Sequence, residues 1–113
     1  MDLYFDRNNK PISVLDWAKK IENHKYRKVK LTRLGDCNIS TIWFGLLGYG
    51  LRPMIFETAV YGPGAPEWLK GNLVRYPTEV HARFGHKGIK EAVLESRRLR
   101  VDGREYRRRR STR

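Results

Sequence analysis

The chain has 113 residues, with 24 lysines and arginines against 12 aspartates and glutamates, which gives a formal charge of +12. Its length fits one domain, and 40% hydrophobic residues are enough for a folded core. The single cysteine, Cys37, excludes an internal disulfide framework. No apolar run reaches the roughly 20 residues that span a bilayer, and the start of the chain lacks the apolar core of a signal peptide. We therefore expect a small, soluble, intracellular protein without a membrane segment, and its charge favours an anionic partner.

The positive charge is concentrated towards the C-terminus. Residues 97–113 contain nine arginines and two acidic residues, a net charge of +7, whereas residues 1–96 carry only +5. The last thirteen residues have little apolar surface to bury, so folding would not offset the entropy of ordering their backbone. These features predict one domain at residues 1–100 and a flexible basic tail at residues 101–113.

The first predicted elements are a strand and a helix. Residues 2–6 are short and aromatic, and a turn signal follows at residues 7–11. Ser13 and Asp16 form a variant of the capping box. Apolar spacing behind them predicts a helix over about residues 14–22.

A hairpin follows. Residues 27–34 alternate between apolar and basic, which predicts a strand with Lys28 and Lys30 together on one face. A tight turn at residues 34–36 leads into residues 36–47, which are rich in the β-branched and aromatic side chains typical of strands.

The second half of the chain predicts two strands and a helix. Residues 54–60 have period-2 apolar spacing, residues 62–66 are a glycine- and proline-rich loop, and residues 72–76 are a short strand. Thr78 is the expected N-cap of the last helix. The apolar residues of this helix fit one stripe, which we expect to face the core: Val80, Phe84, Ile89, Ala92, Val93 and Leu99.

The predicted order is β-α-β-β-β-(β)-α. Short connections between consecutive strands favour antiparallel pairing. The sequence therefore predicts an α+β fold, with an antiparallel sheet of three to five strands and two helices packed on one face.

The arginine-rich tail is the most specific chemical signal. Guanidinium groups bind phosphates, and clustered cations gain affinity by releasing counterions. An aromatic residue beside them can stack on an exposed base. The alternative is a basic tail that binds polyanions nonspecifically or only aids solubility. The residues that we expect to contact nucleic acid here are Arg104, Tyr106, Arg107, Arg108, Arg109, Arg110 and Arg113.

A second basic cluster lies inside the predicted fold, at residues 25–33, which hold five cations and no acid. Arg27, Lys28 and Lys30 are the candidates there for phosphate contacts. Lysines on an edge strand also block unwanted strand pairing, which explains the cluster equally well. A surface shared with the C-terminal helix would favour the first explanation.

Residues 85–88 (GHKG) match the GXXG loop with which KH domains clamp a nucleic-acid backbone. The order of elements around them is not that of a KH domain, so we favour a continuous helix whose glycines permit a close packing contact. His24, His81 and His86 lack metal-ligand spacing, and we interpret each as a surface histidine.

No residue pattern predicts a catalytic or metal site, and no cofactor is implied. Cys37 is interpreted as a buried strand residue. Glu57 is either a solvent-facing residue or a paired carboxylate that lines a pocket. Trp68 and Tyr49 lie in loops and are the candidate anchors for a protein partner.

Five short segments occur together in this chain: residues 4–12 (YFDRNNKPI) with Trp17, 40–46 (STIWFGL), 53–58 (PMIFET), 75–79 (RYPTE) and Gly85-His86. As a set they resemble a family of small tailed-phage proteins, over about residues 4–93. That family is mostly of unknown function, so the resemblance implies a phage origin but no mechanism. It also implies that Gly85 and His86 belong to one continuous helix. The basic residues 25–33 and the arginine tail are departures from the family pattern.

Three functions follow as hypotheses. The first is a non-enzymatic phage accessory protein that binds DNA, RNA or a nucleoprotein complex through basic residues, in the host cytoplasm or in the virion. The second is a protein-binding inhibitor of a host defence system or host enzyme, or a minor virion component. The third is a small enzyme or a binder of an anionic nucleotide, which requires a pocket of convergent polar groups.

Overall fold

The computed structural model of the chain describes residues 2–47 and 52–111, and the side chains of residues 2–47 and 52–99. It has the predicted α+β fold. The helices and strands are α1 (Val14–Glu22), α2 (His24–Arg27), β1 (Lys28–Leu34), β2 (Cys37–Trp43), β3 (Phe56–Tyr61), β4 (Leu73–Tyr76) and α3 (Glu79–Ser111).

The four strands form one antiparallel sheet in the order β1-β2-β3-β4, so consecutive strands are neighbours and β1 and β4 are its edges. Strand periodicity divides its two faces. In β2 every second residue is fully buried, from Cys37 to Trp43, and in β3 Phe56, Thr58 and Val60 are buried. Residues on the opposite face, such as Ile42 and Ala59, are only half-buried. The core therefore lies on one face of the sheet.

Strand β1 departs from the predicted alternation. Lys28 pairs with Ile42 and Lys30 pairs with Thr41, so Val29 is an extra residue in the ladder and forms a β-bulge. The bulge shifts the strand by one position, so that Lys28 lies on the half-buried face and Lys30 on the core face with Thr41. The prediction that both lysines share one face is therefore wrong.

Residues 2–6 were predicted to form a strand, but this segment is not part of the sheet. It forms only two isolated bridges, Tyr4 with Leu46 and Phe5 with Pro11. The predicted turn that follows is confirmed, because the Asp6 carboxylate accepts hydrogen bonds from the backbone N–H groups of Asn8 and Lys10 at 2.9 and 3.0 Å. The segment is also held by backbone hydrogen bonds, from Phe5 N–H to the Gly45 carbonyl at 2.9 Å and from Leu47 N–H to the Leu3 carbonyl at 3.0 Å.

Helix α1 has the predicted bounds and cap. The Ser13 hydroxyl accepts a hydrogen bond from the Asp16 N–H at 3.1 Å. Trp17 and Ile21 of α1 are half-buried against the cluster that contains Trp43, on the same sheet face that α3 covers. The two predicted helices therefore pack on one face.

Helix α3 begins where Thr78 predicts, because the Thr78 hydroxyl accepts a hydrogen bond from the His81 N–H at 3.2 Å. Its buried stripe agrees with the predicted one only in part, since Val93 is fully buried and Ile89 packs against the core. Val80, Phe84 and Leu99 are exposed, and the fully buried residues are Ala82, His86 and Val93. In its first turns the helix approaches the sheet through Ala82 and Gly85, which leaves Val80 and Phe84 in solvent.

Gly85 makes the closest approach between α3 and the sheet. A Cβ atom at this position would lie 2.1 Å from Cε1 of the buried Tyr76 ring. The glycine is therefore required at a close packing contact, as the sequence indicates. At the neighbouring Gly88 a Cβ atom would meet nothing within 4 Å.

Helix α3 extends to Ser111 and so includes most of the segment assigned to a tail. The domain boundary near residue 100 and the flexibility of residues 101–113 stay predictions. Within residues 2–47 and 52–111, no helix combines the length and the hydropathy needed to cross a membrane.

The two helix glycines give opposite predictions for the same substitution. Gly85→Ala forces the Tyr76 ring to move in a packed core, so we expect it to lower the free energy of unfolding by about 1–3 kcal/mol. Gly88→Ala removes only the helix penalty of glycine, so we expect a gain of up to about 1 kcal/mol. Urea unfolding of both variants measures this difference, and an equal gain in both would contradict the packing.

Candidate nucleic-acid interface

A cationic cleft of about 320 Å³ lies between α3 and the edge strand β1. Its α3 residues are three or four positions apart, so they project from one side of the helix towards β1. The bulge in β1 brings one lysine of that strand to the same place. The residues that line this cleft are Lys30, Arg83, His86, Lys87 and Lys90.

The cations of the cleft are mostly unpaired. Arg83 forms an ion pair with Glu79 at 3.1 Å. Lys30, Lys87 and Lys90 have no ion-pair partner among the residues whose side chains are described. No carboxylate lines the cleft. The three lysines therefore repel one another, and an anion between them would lower that repulsion.

His86 forms the floor of the cleft and is only 1% exposed. Its Nε2 atom lies 2.7 Å from Oγ1 of Thr32, and its Nδ1 atom lies 2.7 Å from Oγ1 of Thr41. Thr41 in turn lies 2.5 Å from Oγ1 of Thr58. A neutral imidazole has one donor and one acceptor nitrogen, which two hydroxyl groups satisfy. The prediction that His86 is a surface histidine is therefore wrong. The ring can be buried because the hydroxyl groups of Thr32 and Thr41 are hydrogen-bond partners for both of its nitrogens.

The pKa of His86 lies below its ordinary value of 6.5. Burial is the main cause, since it disfavours the charged form, and the positive charges of Lys30, Lys90 and Arg83 add to it. The imidazole is therefore neutral near pH 7. The positive charge of the cleft therefore comes from its lysines and its arginine.

An ion-pair network fixes the start of α3 beside the cleft. Arg7 donates to Glu79 at 2.9 Å through Nε and to the backbone carbonyl of Tyr26 at 3.0 Å. Burial alone would raise the pKa of Glu79, but the hydrogen bonds and charges of Arg7 and Arg83 outweigh it and hold that pKa below its ordinary value. Arg83 is thereby held at the cleft by a charged carboxylate.

The structure separates the three predicted basic residues of the β1 region. Lys30 lines the cleft, so the surface shared with the C-terminal helix exists for this lysine. Lys28 lies on the other face of the sheet. Arg27 is half-buried and donates to the backbone carbonyl of Ile21 at 3.4 Å. Because β1 is an edge strand, the explanation from blocked strand pairing also holds for these lysines.

The predicted arginine-rich segment falls partly outside the described residues. Arg104, Tyr106, Arg107, Arg108, Arg109 and Arg110 belong to the backbone of α3, and their side chains are not among those described. Arg113 and Tyr49 lie outside the described residues altogether. The roles assigned to all of them stay predictions.

Trp68, the other predicted protein-binding residue, is 57% exposed. It lies beside α3, where it lines a shallow depression of about 330 Å³ with Ala92 and Leu99. The neighbouring Leu69 is buried, so the loop folds back onto the core through this leucine and not through the tryptophan.

The remaining chemical candidates have structural roles. Cys37 is fully buried, and burial raises the pKa of its thiol. Glu57 lies on the half-buried face, where its carboxylate is 3.7 Å from Arg75. In the described part of the chain, no three histidine, cysteine, aspartate or glutamate side chains are grouped so that they could hold a metal ion.

The α3 cations that line the cleft were not among the candidates predicted from the sequence. Arg83, Lys87 and Lys90 recur at helical spacing, which was sufficient to place them on one face.

Comparison of the chain with protein-family models, with curated proteins and with solved structures found no match. The site therefore has to be interpreted from its own chemistry.

The buried imidazole predicts a specific pH dependence of stability. Because the pKa of His86 is lowered in the folded state, the unfolded chain binds more protons, and the stability that His86 contributes is lost as pH falls below about 6.5. His86→Gln should cost about 1–3 kcal/mol at neutral pH. That cost should shrink on acidification.

Urea unfolding of the protein and of His86→Gln at about pH 7.5 and about pH 5.5 measures this effect. The difference between the two proteins isolates His86, since all other titrating groups are shared. A difference that stays constant or grows at the lower pH would contradict a buried neutral imidazole.

Proposed function

We propose that this protein is a non-enzymatic nucleic-acid-binding protein that holds backbone phosphates of DNA or RNA, free or within a nucleoprotein complex, in its cationic cleft. One observation carries the proposal: Lys30, Lys87 and Lys90 converge with Arg83 on one cleft that no carboxylate lines. Unpaired cations in a shared concave site are the arrangement that anionic ligands require.

The chemistry of the cleft suits phosphate better than a reaction. Every charged group that lines it is a lysine or an arginine, and its imidazole is engaged by Thr32 and Thr41. Ammonium and guanidinium groups bind phosphate and release the counterions condensed on a nucleic acid, which supplies most of the affinity of nonspecific binding.

The arginines in the second half of α3 are a further part of this proposal. After the cleft residues, the same helix carries eight arginines between positions 97 and 110. A nucleic acid that occupies the cleft can therefore follow the helix towards the arginine-rich end. The resemblance to small tailed-phage proteins supports a role in the host cytoplasm or in the virion.

A second candidate function is a protein-binding module, for example an inhibitor of a host defence system or host enzyme. The exposed Trp68 ring beside Leu99 favours it, because exposed aromatic residues are common interface anchors. A pull-down from nuclease-treated host lysate distinguishes the two, since partners that survive nuclease digestion favour the protein-binding function.

The cleft predicts how binding depends on salt. The triple variant Lys30→Ala, Lys87→Ala and Lys90→Ala loses three phosphate contacts. Each contact contributes about 0.7–0.9 to the slope of log affinity against log salt, so we expect this slope to become less negative by about 2–3. Fluorescence anisotropy of a labelled oligonucleotide between about 50 and 200 mM salt measures the slope.

A matched control has Lys10→Ala, Lys19→Ala and Lys25→Ala, which removes the same charge from exposed lysines outside the cleft. We expect its salt slope to change by less than about 1. Equal changes in the two triple variants would contradict a site at the cleft. So would binding that is lost only when Arg107, Arg108, Arg109 and Arg110 are replaced by glutamine.

A further inference from the structure

An apolar surface on α3 adjoins the cationic cleft. Val80 and Phe84 are 64% and 73% exposed and surround a shallow depression of about 300 Å³. Arg83 and Lys87 line this depression as well as the cleft. The two sites are therefore one continuous surface, with cations on one side and an exposed aromatic ring on the other.

The position of Phe84 is not explained by packing. It is one turn from Val80 on the helix, and the two form a small apolar patch outside the core. The helix buries Ala82, His86 and Val93 instead. Phe84 stays 73% exposed in the folded chain, so its ring is available to a ligand.

Charge and shape together select one kind of ligand. A ligand that uses the whole surface must present an anion to the cleft and a flat apolar group to Phe84. Residues three apart on a helix have Cβ atoms about 5–6 Å apart, so Phe84 and Lys87 can contact the base and the phosphate of the same strand. In a duplex the bases are stacked and paired, so a phenyl ring reaches a base face only by unstacking a step, which costs a few kcal/mol.

We propose that the nucleic acid bound here is single-stranded, with a backbone phosphate among Lys30, Lys87 and Lys90 and an unpaired base stacked on Phe84. The proposal rests on the proposed function and names its substrate class. Because every base has an aromatic face, stacking on Phe84 tolerates any sequence. Val80 contacts the edge of the same base.

The test compares strands with duplexes. The affinity of the full chain for labelled oligothymidylate and for the oligothymidylate–oligoadenylate duplex of equal length is measured by fluorescence anisotropy. We expect tighter binding of the single strand. Phe84→Ala should weaken single-strand binding by at least about fivefold and leave duplex binding unchanged, since each stacked base contributes that much or more.

Two further variants sharpen the result. Phe84→Tyr keeps a stacking ring and should retain the affinity of the unaltered protein. Trp68→Ala removes another exposed aromatic residue, outside this surface, and should have no effect. Phe84 and Trp68 are both exposed, so their replacement does not threaten the core. Oligouridylate and oligodeoxyuridylate share a base and differ only in the 2′-OH, so they identify the source of the strand: RNA if the first binds more tightly and DNA if the second does.

The outcomes separate this inference from the proposed function. If the duplex binds as tightly as the single strand, or if Phe84→Ala lowers both affinities equally or neither, the single-strand inference is wrong while the cleft remains a phosphate site. If no oligonucleotide binds the unaltered protein, both are wrong. An effect of Trp68→Ala equal to that of Phe84→Ala would place stacking elsewhere and overturn the inference.

Discussion

The contact of α3 with the sheet at Gly85 and His86 is the constraint on which the rest of the structure depends. The missing side chain of Gly85 lets the helix lie against the Tyr76 ring, and His86 reaches the hydroxyls of Thr32 and Thr41 on two neighbouring strands. These contacts fix the rotation of α3 about its own axis. That rotation directs the cations at positions 83, 87 and 90 towards β1 and leaves positions 80 and 84 in solvent.

The same contact sets the electrostatics of the cleft. Burial is the main reason that the imidazole stays neutral, and the two threonines satisfy its nitrogens without adding charge. The field of the cleft then comes mainly from Lys30, Lys87 and Lys90, since Arg83 is paired with Glu79. The bulge at Val29 completes the cleft, because it turns Lys30 from the half-buried face of the sheet to the side of α3. The lysines of the cleft therefore repel one another, and an anionic ligand between them would lower this repulsion.

Much of the fold was predictable from local signals. The sequence alone was sufficient to predict the helix caps at Ser13 and Thr78 and the alternating burial in β2 and β3. Each of these features depends only on residues close together in the chain. The bulge was not predictable, because the pattern of lysines also fits a regular strand. The rotation of α3 was mispredicted because Val80 and Phe84 are the more hydrophobic choice, whereas close approach to the sheet requires Ala82 and Gly85. The cleft follows from both features, so the sequence predicted Lys30 as a site residue but not its α3 partners.

The measurement that tests the central claim most directly is an NMR titration of the isotope-labelled full chain with single-stranded oligothymidylate. If the cleft binds the backbone phosphates, the largest chemical-shift changes occur at Lys30, Arg83, Lys87 and Lys90, with His86 and Phe84 beside them. They should disappear in the variant that lacks the three lysines while the rest of its spectrum is retained. Shift changes confined to the half-buried sheet face around Ile42 and Ala59, or to Trp68 and Leu99, would contradict the account.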